Sequence, residues 1–198
     1  EVLQAVDAVI CEELREGSTL LKKLGLPAKE LITLNEHNEI EQVQEIAMRM
    51  INGQTFALVS DCGTPVFADP GHALIRQATE YGITVIPVPG PSSLMAALSL
   101  LDFHLVKFVY GGFLPREADQ RRQELMRLKG LRMPVVLMDT PYRLKALLEE
   151  TARVFGKEHA VTLAYNLTLP DESVLRGPLS DVIRQAGGRK GEFILIVH

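Results

Sequence analysis

Apolar residues along this chain change period repeatedly, and each change marks an element. Runs of strand length that are apolar on both faces, such as TFALVS (55–60), ITVIP (83–87), PVVLMD (134–139) and EFILIV (192–197), alternate with segments of helical spacing. In one such segment Ile40, Val43, Ile46, Ala47, Met50 and Ile51 share a face, and the run stops at Asn52-Gly53. The first residues predict a short helix end running into a strand, AVICEE. STLLKKLG (18–25) predicts a helix capped by Ser18 or Thr19 and ended by Gly25, and ELITLN (30–35) a strand. HALIRQATEY (72–81) predicts a helix stopped by Gly82, and SLMAALSLL one with Ser92 or Ser93 near its N-cap. The second half predicts a strand at 106–113, a helix at 117–129, PVVLMD, and a helix from Pro141 to about Phe155. Strands at 159–167 and 172–177, a helix at 179–187 and EFILIV complete it. Helices alternating with doubly apolar strands predict α/β layers with buried, largely parallel sheets. The pattern restarts after Asp102-Phe103-His104, which predicts two α/β domains, 1–105 and 106–198.

Charge sharpens that division. Residues 1–105 hold 6 Lys/Arg against 14 Asp/Glu, a net of −8, and residues 106–198 hold 15 against 11, a net of +4. An acidic half joined to a basic half is compatible with a polyanionic partner and equally with two ordinary domains. No apolar run approaches the roughly 18 residues that cross a bilayer, so no membrane association is expected. No basic-then-apolar leader opens the chain. Cys11 and Cys62 are neither a disulfide framework nor a metal cluster and predict reduced thiols in a cytoplasmic protein. The 5 histidines lack ligand spacing, so no metal is expected.

Two loops stand at the carboxyl ends of predicted strands, where open α/β sheets bind ligands. One is SDCGTPVFADPG (60–71) and the other PVPGPSS (87–93). Gly63 and Gly71 permit close backbone approach or positive φ, while Pro65 and Pro70 stiffen the path. Thr64 offers a hydroxyl and Asp61 an acceptor, and Asp69 stands where it can bond its own turn. A long structural loop accounts for the same residues. No GxGxxG or GxxxxGK[ST] follows any predicted strand, which leaves a dinucleotide fold or a P-loop unsupported.

The order of these motifs is similar to that of the tetrapyrrole methylase superfamily. Within it the chain resembles the branch that methylates a cytidine 2′-oxygen in bacterial small-subunit ribosomal RNA. The family's SDAGTPxxSDPG, PxPGPxA, GFLP and terminal KGExxLxV correspond here to SDCGTPVFADPG, PVPGPSS, GFLP (112–115) and KGEFILIV (190–197). CEELR (11–15) and NEHNE (35–39) resemble its CEDTR and HEHNE. The resemblance implies two α/β domains with S-adenosylmethionine in the cleft between them, in a homodimer. It implies cofactor contacts at Cys62, Gly63, Thr64 and Pro65, at Ser92 and Ser93, at Met138 or Asp139, and beside Leu163 and Ala164. A ribose hydroxyl is a poor nucleophile, so a base or acceptor is expected among Glu12, Glu36 and Asp61, with His37 next on the substrate side. Arg116, Arg121 and Arg122, just past GFLP, are expected to meet RNA phosphates. Tyr142 and Arg143 stand on the substrate side.

The match departs in two places. The family begins with a strand and a glycine-containing loop ahead of the helix with which this sequence opens, and we expect such a segment to precede Glu1. FYESPHR is here LMDTPYR, and REITK is here YNLTL, so substrate-side motifs diverge more than cofactor-side ones. A methylase of a tetrapyrrole or other small acceptor, and a non-catalytic homologue that binds RNA or protein, are the alternatives.

Overall fold

The structure is a computed structural model that describes residues 1–60 and 63–198, and contacts divide it into two units, Glu1–Ser92 and Ser93–His198. The first unit runs α1 (Val2–Ala5), β1 (Ala8–Cys11), α2 (Leu14–Lys23), β2 (Glu30–Thr33), α3 (Glu39–Ile51), β3 (Phe56–Leu58) and α4 (His72–Glu80). Its three strands form a wholly parallel sheet in the order β2-β1-β3, with Ile10 of β1 paired to Ile32 and Leu58. β1 is buried along its whole length, as a central parallel strand covered on both faces must be.

Three helices of this unit end by one device. After α2, α3 and α4 a glycine takes positive φ: Gly25 (64°), Gly53 (91°) and Gly82 (69°). The amide beyond each reaches back five residues, as in Leu26 N–H to Leu21 O, Gln54 to Arg49 and Ile83 to Ala78. These Schellman closures satisfy carbonyls that would otherwise be orphaned, and only glycine adopts the turn without a Cβ penalty. Inside α2, Gly17 lies against β1, where a Cβ would stand 2.7 Å from Cys11 Sγ.

Two expectations for this unit are corrected. α2 begins at Leu14 rather than near Ser18, so Ser18 and Thr19 lie inside it, and the Thr19 hydroxyl bonds the Arg15 carbonyl at 2.7 Å. ITVIP is not a buried strand: Val85 is 45%, Ile86 76% and Val88 62% exposed. An apolar run becomes a strand only when a neighbour supplies ladder bonds. Among the described residues β3 pairs with β1 alone and nothing pairs with 83–88.

The second unit runs α5 (Ser93–Ser99), β4 (Val109–Phe113), α6 (Ala118–Gly130), β5 (Val135–Met138), a 3-10 turn (Pro141–Arg143), α7 (Leu144–Phe155), β6 (Ala160–Tyr165), β7 (Ser173–Pro178), α8 (Leu179–Ala186) and β8 (Phe193–Val197). Its sheet has the order β4-β5-β8-β6-β7. Only β4 and β5 pair parallel, and β8 and β7 run antiparallel to their neighbours, so the second sheet is mixed. One face carries Leu137, Leu163, Phe193 and Leu195 against α6, α7 and α8, and the other packs Val136, Ala164, Ile194 and Ile196 against Leu94 and Ala97 of α5. That packing assigns α5 to the second unit, whereas the sequence division fell at 105. α7 buries Leu144, Leu147, Leu148, Thr151 and Ala152, a stripe at helical spacing. Each of its leucines contributes roughly 1.5–3 kcal/mol of hydrophobic stabilisation.

Candidate functional site

In the first unit the parallel ladder brings three carboxyl ends to one sheet edge. β1 delivers Glu12, β2 delivers Asn35 to Asn38, and β3 delivers Ser60 and the glycine loop. Glu12 is half-buried, whereas Glu36 and His37 are exposed in a turn. Asn38 builds that turn: its Oδ1 accepts from Asn35 N–H at 2.8 Å, and its Nδ2 donates to the Thr33 carbonyl at 3.1 Å. The ladder thus groups Glu12, Glu36 and His37. Asp61 and Cys62 lie outside the described residues.

The loop after β3 is tied at both ends. The Ser60 hydroxyl donates to Asp69 Oδ2 at 2.6 Å, so Asp69 shapes the loop. Gly71 has φ 120°, and a Cβ there would stand 2.7 Å from Leu58. Its N–H and that of Ala73 both donate to Glu39 Oε1, at 3.1 and 3.2 Å. A carboxylate from α3 therefore caps the amino end of α4, where the helix dipole favours negative charge. Sequence reading missed Glu39, because its partner amides are 32 and 34 residues away.

The two glycine-bearing loops close on each other within this unit. Thr64 Oγ1 donates to the Pro91 carbonyl at 2.8 Å. Gly63 has φ 115°, and a Cβ there would stand 2.8 Å from the same carbonyl oxygen. Any side chain at 63 would therefore push the loops apart. Pro65 is half-buried beside them, Ser92 ends this unit, and Ser93 opens α5 in the other.

In the second unit the carboxyl ends of β4, β5 and β6 and the amino end of β8 share an edge, since Met138 and Ala164 both pair with Ile194. Leu163 and Ala164 are enclosed in the cores of opposite sheet faces, at 0% and 1% exposure. The Tyr110 hydroxyl stands 3.4 Å from Met138 Sδ. Asp139 accepts from the Thr140 amide at 2.8 Å, and its Oδ2 lies 3.3 Å from Arg143 Nε without an aligned hydrogen bond. Burial pushes its carboxyl above the ordinary carboxylate range, opposed by the Thr140 N–H and by Arg143 and Arg121.

Arg121 is not a solvated RNA-facing side chain. Its guanidinium forks onto the Glu150 carboxylate and donates through Nη1 to the carbonyls of Pro115 (3.0 Å) and Arg116 (2.7 Å). The side chains of Arg121 and Glu150 are only 11% and 17% exposed. Arg143 Nη2 adds a bond to the Pro115 carbonyl at 3.2 Å. The two arginines thus pin the GFLP segment, while Arg116 and Arg122 remain exposed. Tyr142, 79% exposed, has Lys190 Nζ 5.7 Å from its ring.

One further cluster joins two motifs that stand apart in sequence, YNLTL and KGE. Asn166 (φ 46°) and Thr168 (φ 70°) both take left-handed backbone. Asn166 Nδ2 donates to Asp171 at 2.8 Å, while its buried Oδ1 has no hydrogen-bond partner. A Cβ at Gly191 would stand 2.3 Å from that oxygen and 2.5 Å from the Tyr165 hydroxyl. The KGE turn and the YNLTL strand end therefore meet where a Cβ would have to displace the buried Asn166 and Tyr165 side chains.

Among the described residues no cluster of three or more His, Cys, Asp or Glu could hold a metal ion, and no helix is long and apolar enough to cross a membrane.

Comparison with known proteins agrees with this architecture. "Ribosomal RNA small subunit methyltransferase I" of Escherichia coli O157:H7 is 36% identical over 202 residues, spanning 100% of this chain and 70% of that protein. Proteins of the same name from Halalkalibacterium halodurans and Synechocystis are 36% and 35% identical and cover 99% and 100% of this chain, which spans 68% and 71% of them. In fold, a cobalt precorrin-4 methyltransferase of cobalamin biosynthesis superposes with TM-score 0.66 at 20% identity, covering 99% of this chain and 85% of its own. The uroporphyrin-III C-methyltransferase of Thermus thermophilus gives 0.63 at 22%, covering 99% and 84%. The sequence profile of the tetrapyrrole (corrin/porphyrin) methylases matches residues 1–183, and with two α/β units, paired glycine loops and relatives aligned over the whole of this chain it belongs to that family of methyltransferases.

Proposed function

We propose that this protein transfers a methyl group from S-adenosylmethionine to the 2′-hydroxyl of a cytidine in small-subunit ribosomal RNA. The observation that carries the reading is 32–38% identity, over 99% or more of this chain, to relatives named as small-subunit ribosomal RNA methyltransferases.

The first unit's loops fit the cofactor. Gly63 leaves the backbone bare where the two loops meet, and Thr64 fixes one loop to the other through Pro91. We assign cofactor contact to Gly63, Thr64, Pro65 and Ser92, with Cys62 as their neighbour in sequence. Leu163, Ala164 and the Asp139 carboxylate are enclosed by their own unit, so any contribution from these positions is through backbone. When bound, S-adenosylmethionine supplies a methyl carbon activated by its sulfonium. The chain's task is then to place an oxygen in line with that carbon and take its proton. The carboxylates at the first sheet's edge, Glu12 and Glu36, with Asp61 of the loop, are the assigned acceptors for that proton.

Small ribosomal subunits from a strain lacking the modification, incubated with the protein and tritiated S-adenosylmethionine, test the reading. Label on a cytidine ribose is expected after nuclease digestion and mass spectrometry. Label on a base, or on a tetrapyrrole in place of RNA, refutes it.

A further inference from the structure

Part of the second unit's surplus positive charge lines one depression. Several of its arginines are matched. Arg121 is neutralised by Glu150, Arg127 forks onto Glu124 at 2.6 and 2.8 Å, Arg184 pairs with Asp181 at 2.7 Å, and Arg143 lies on Asp139. Three cations between α6 and α7 are not matched in this way. Arg153 is in no ion pair among the described residues and acts on Glu150 only from a distance. Lys129 donates to the Val154 carbonyl at 2.7 Å rather than to an acid. Arg122 faces Asp119 at 3.7 Å, with 60% and 80% of the two side chains exposed, an arrangement that neutralises little. These three side chains, with Met126 and Val154, line a depression of about 580 Å³. Glu150 lies within electrostatic reach of Arg122 and Arg153, but its carboxylate is already bonded to Arg121.

We infer that this depression is a docking surface for the phosphodiester backbone of the substrate RNA, an inference that rests on the ribosomal RNA reading above. Charge complementarity selects the occupant: the three cations of the lining suit phosphates, and Met126 and Val154 suit the apolar face of a ribose. None of the residues lining it is an acid, which disfavours a basic protein partner. The surface differs from the three-arginine stretch expected from sequence. It keeps Arg122, excludes the internally bonded Arg121, and adds Lys129 and Arg153 from positions 7 and 31 residues further along the chain.

The test is the salt dependence of binding to small ribosomal subunits and to protein-free small-subunit RNA. Arg122→Gln/Arg153→Gln is compared with wild type and with Arg184→Gln as a control, and S-adenosylhomocysteine calorimetry verifies that each protein is folded. Loss of two phosphate contacts lowers the slope of log K against log salt by about 1.4–1.8 and weakens binding roughly 30-fold at 0.1 M salt. The control is expected to change neither. An unchanged slope in the double variant overturns the surface while leaving the ribosomal RNA reading intact. A loss confined to intact subunits overturns it in favour of a ribosomal protein. Wild-type protein that binds neither probe overturns both the surface and the reading beneath it.

Discussion

Replacing Arg121 with alanine gives the sharpest test of how the second unit is built. The guanidinium makes hydrogen bonds to the Glu150 carboxylate and to the carbonyls of Pro115 and Arg116, almost entirely out of water. The variant leaves Glu150 ionised and largely buried with no opposite charge in contact. Breaking one side of a buried pair costs about 3–5 kcal/mol. The residual exposure of 11% and 17% places the expected value near the lower end, about 3 kcal/mol. Glu150→Gln keeps a carbonyl acceptor for the guanidinium and is expected to cost about 1–2 kcal/mol. The assay is urea unfolding, with the Arg121→Ala/Glu150→Ala cycle to isolate the pair. A coupling of about 1–3 kcal/mol is expected for two groups in direct contact. A cost below about 1 kcal/mol for Arg121→Ala, or additivity of the two alanine variants, refutes the internal ion pair and restores Arg121 to the RNA-facing surface.

The same pair sets a pH dependence. Hydrogen bonding from Arg121 holds the Glu150 carboxyl below its ordinary value, so its stabilisation is present above the unfolded carboxylate range near 4.5 and is lost as pH falls through the folded value. The stability gap between wild type and Glu150→Gln is therefore expected to close between about pH 5 and pH 3 in urea titrations, and a gap independent of pH counts against the assignment. Gly63→Ala, whose Cβ meets the Pro91 carbonyl at 2.8 Å, is expected to abolish S-adenosylhomocysteine binding in calorimetry while far-UV circular dichroism is retained. Thr64→Val, which removes only the 2.8 Å bond to that carbonyl, is expected to weaken the affinity by about 1 kcal/mol. Gly191→Ala drives a methyl into Asn166 and the Tyr165 hydroxyl and is expected to lower methyl transfer to small subunits with little effect on S-adenosylhomocysteine affinity; equal losses in both argue that the second unit is simply unfolding.

Periodicity and punctuation were enough to read most elements, because each is decided by interactions within a few residues. The helical stripe of α3, its Gly53 stop and the doubly apolar β5 and β8 are such cases. The motif order was enough to read the family, since glycine loops at strand ends constrain backbone shape directly. What only the tertiary structure decided depended on partners distant in sequence. ITVIP has a strand's pattern, but pairing belongs to its neighbours, and none of the described residues supplies a ladder. β8 reads like any parallel-core strand, yet it runs antiparallel between β5 and β6, because an apolar run carries no direction. Arg121 and Arg122 are adjacent on a basic helix and look alike in sequence. About 100° of helical rotation turns the first inward onto Glu150, 29 residues away, and leaves the second in solvent. Residue type established that positive charge stands on this helix; only the packing of α6 against α7 decided which of it is spent inside the protein and which faces outward.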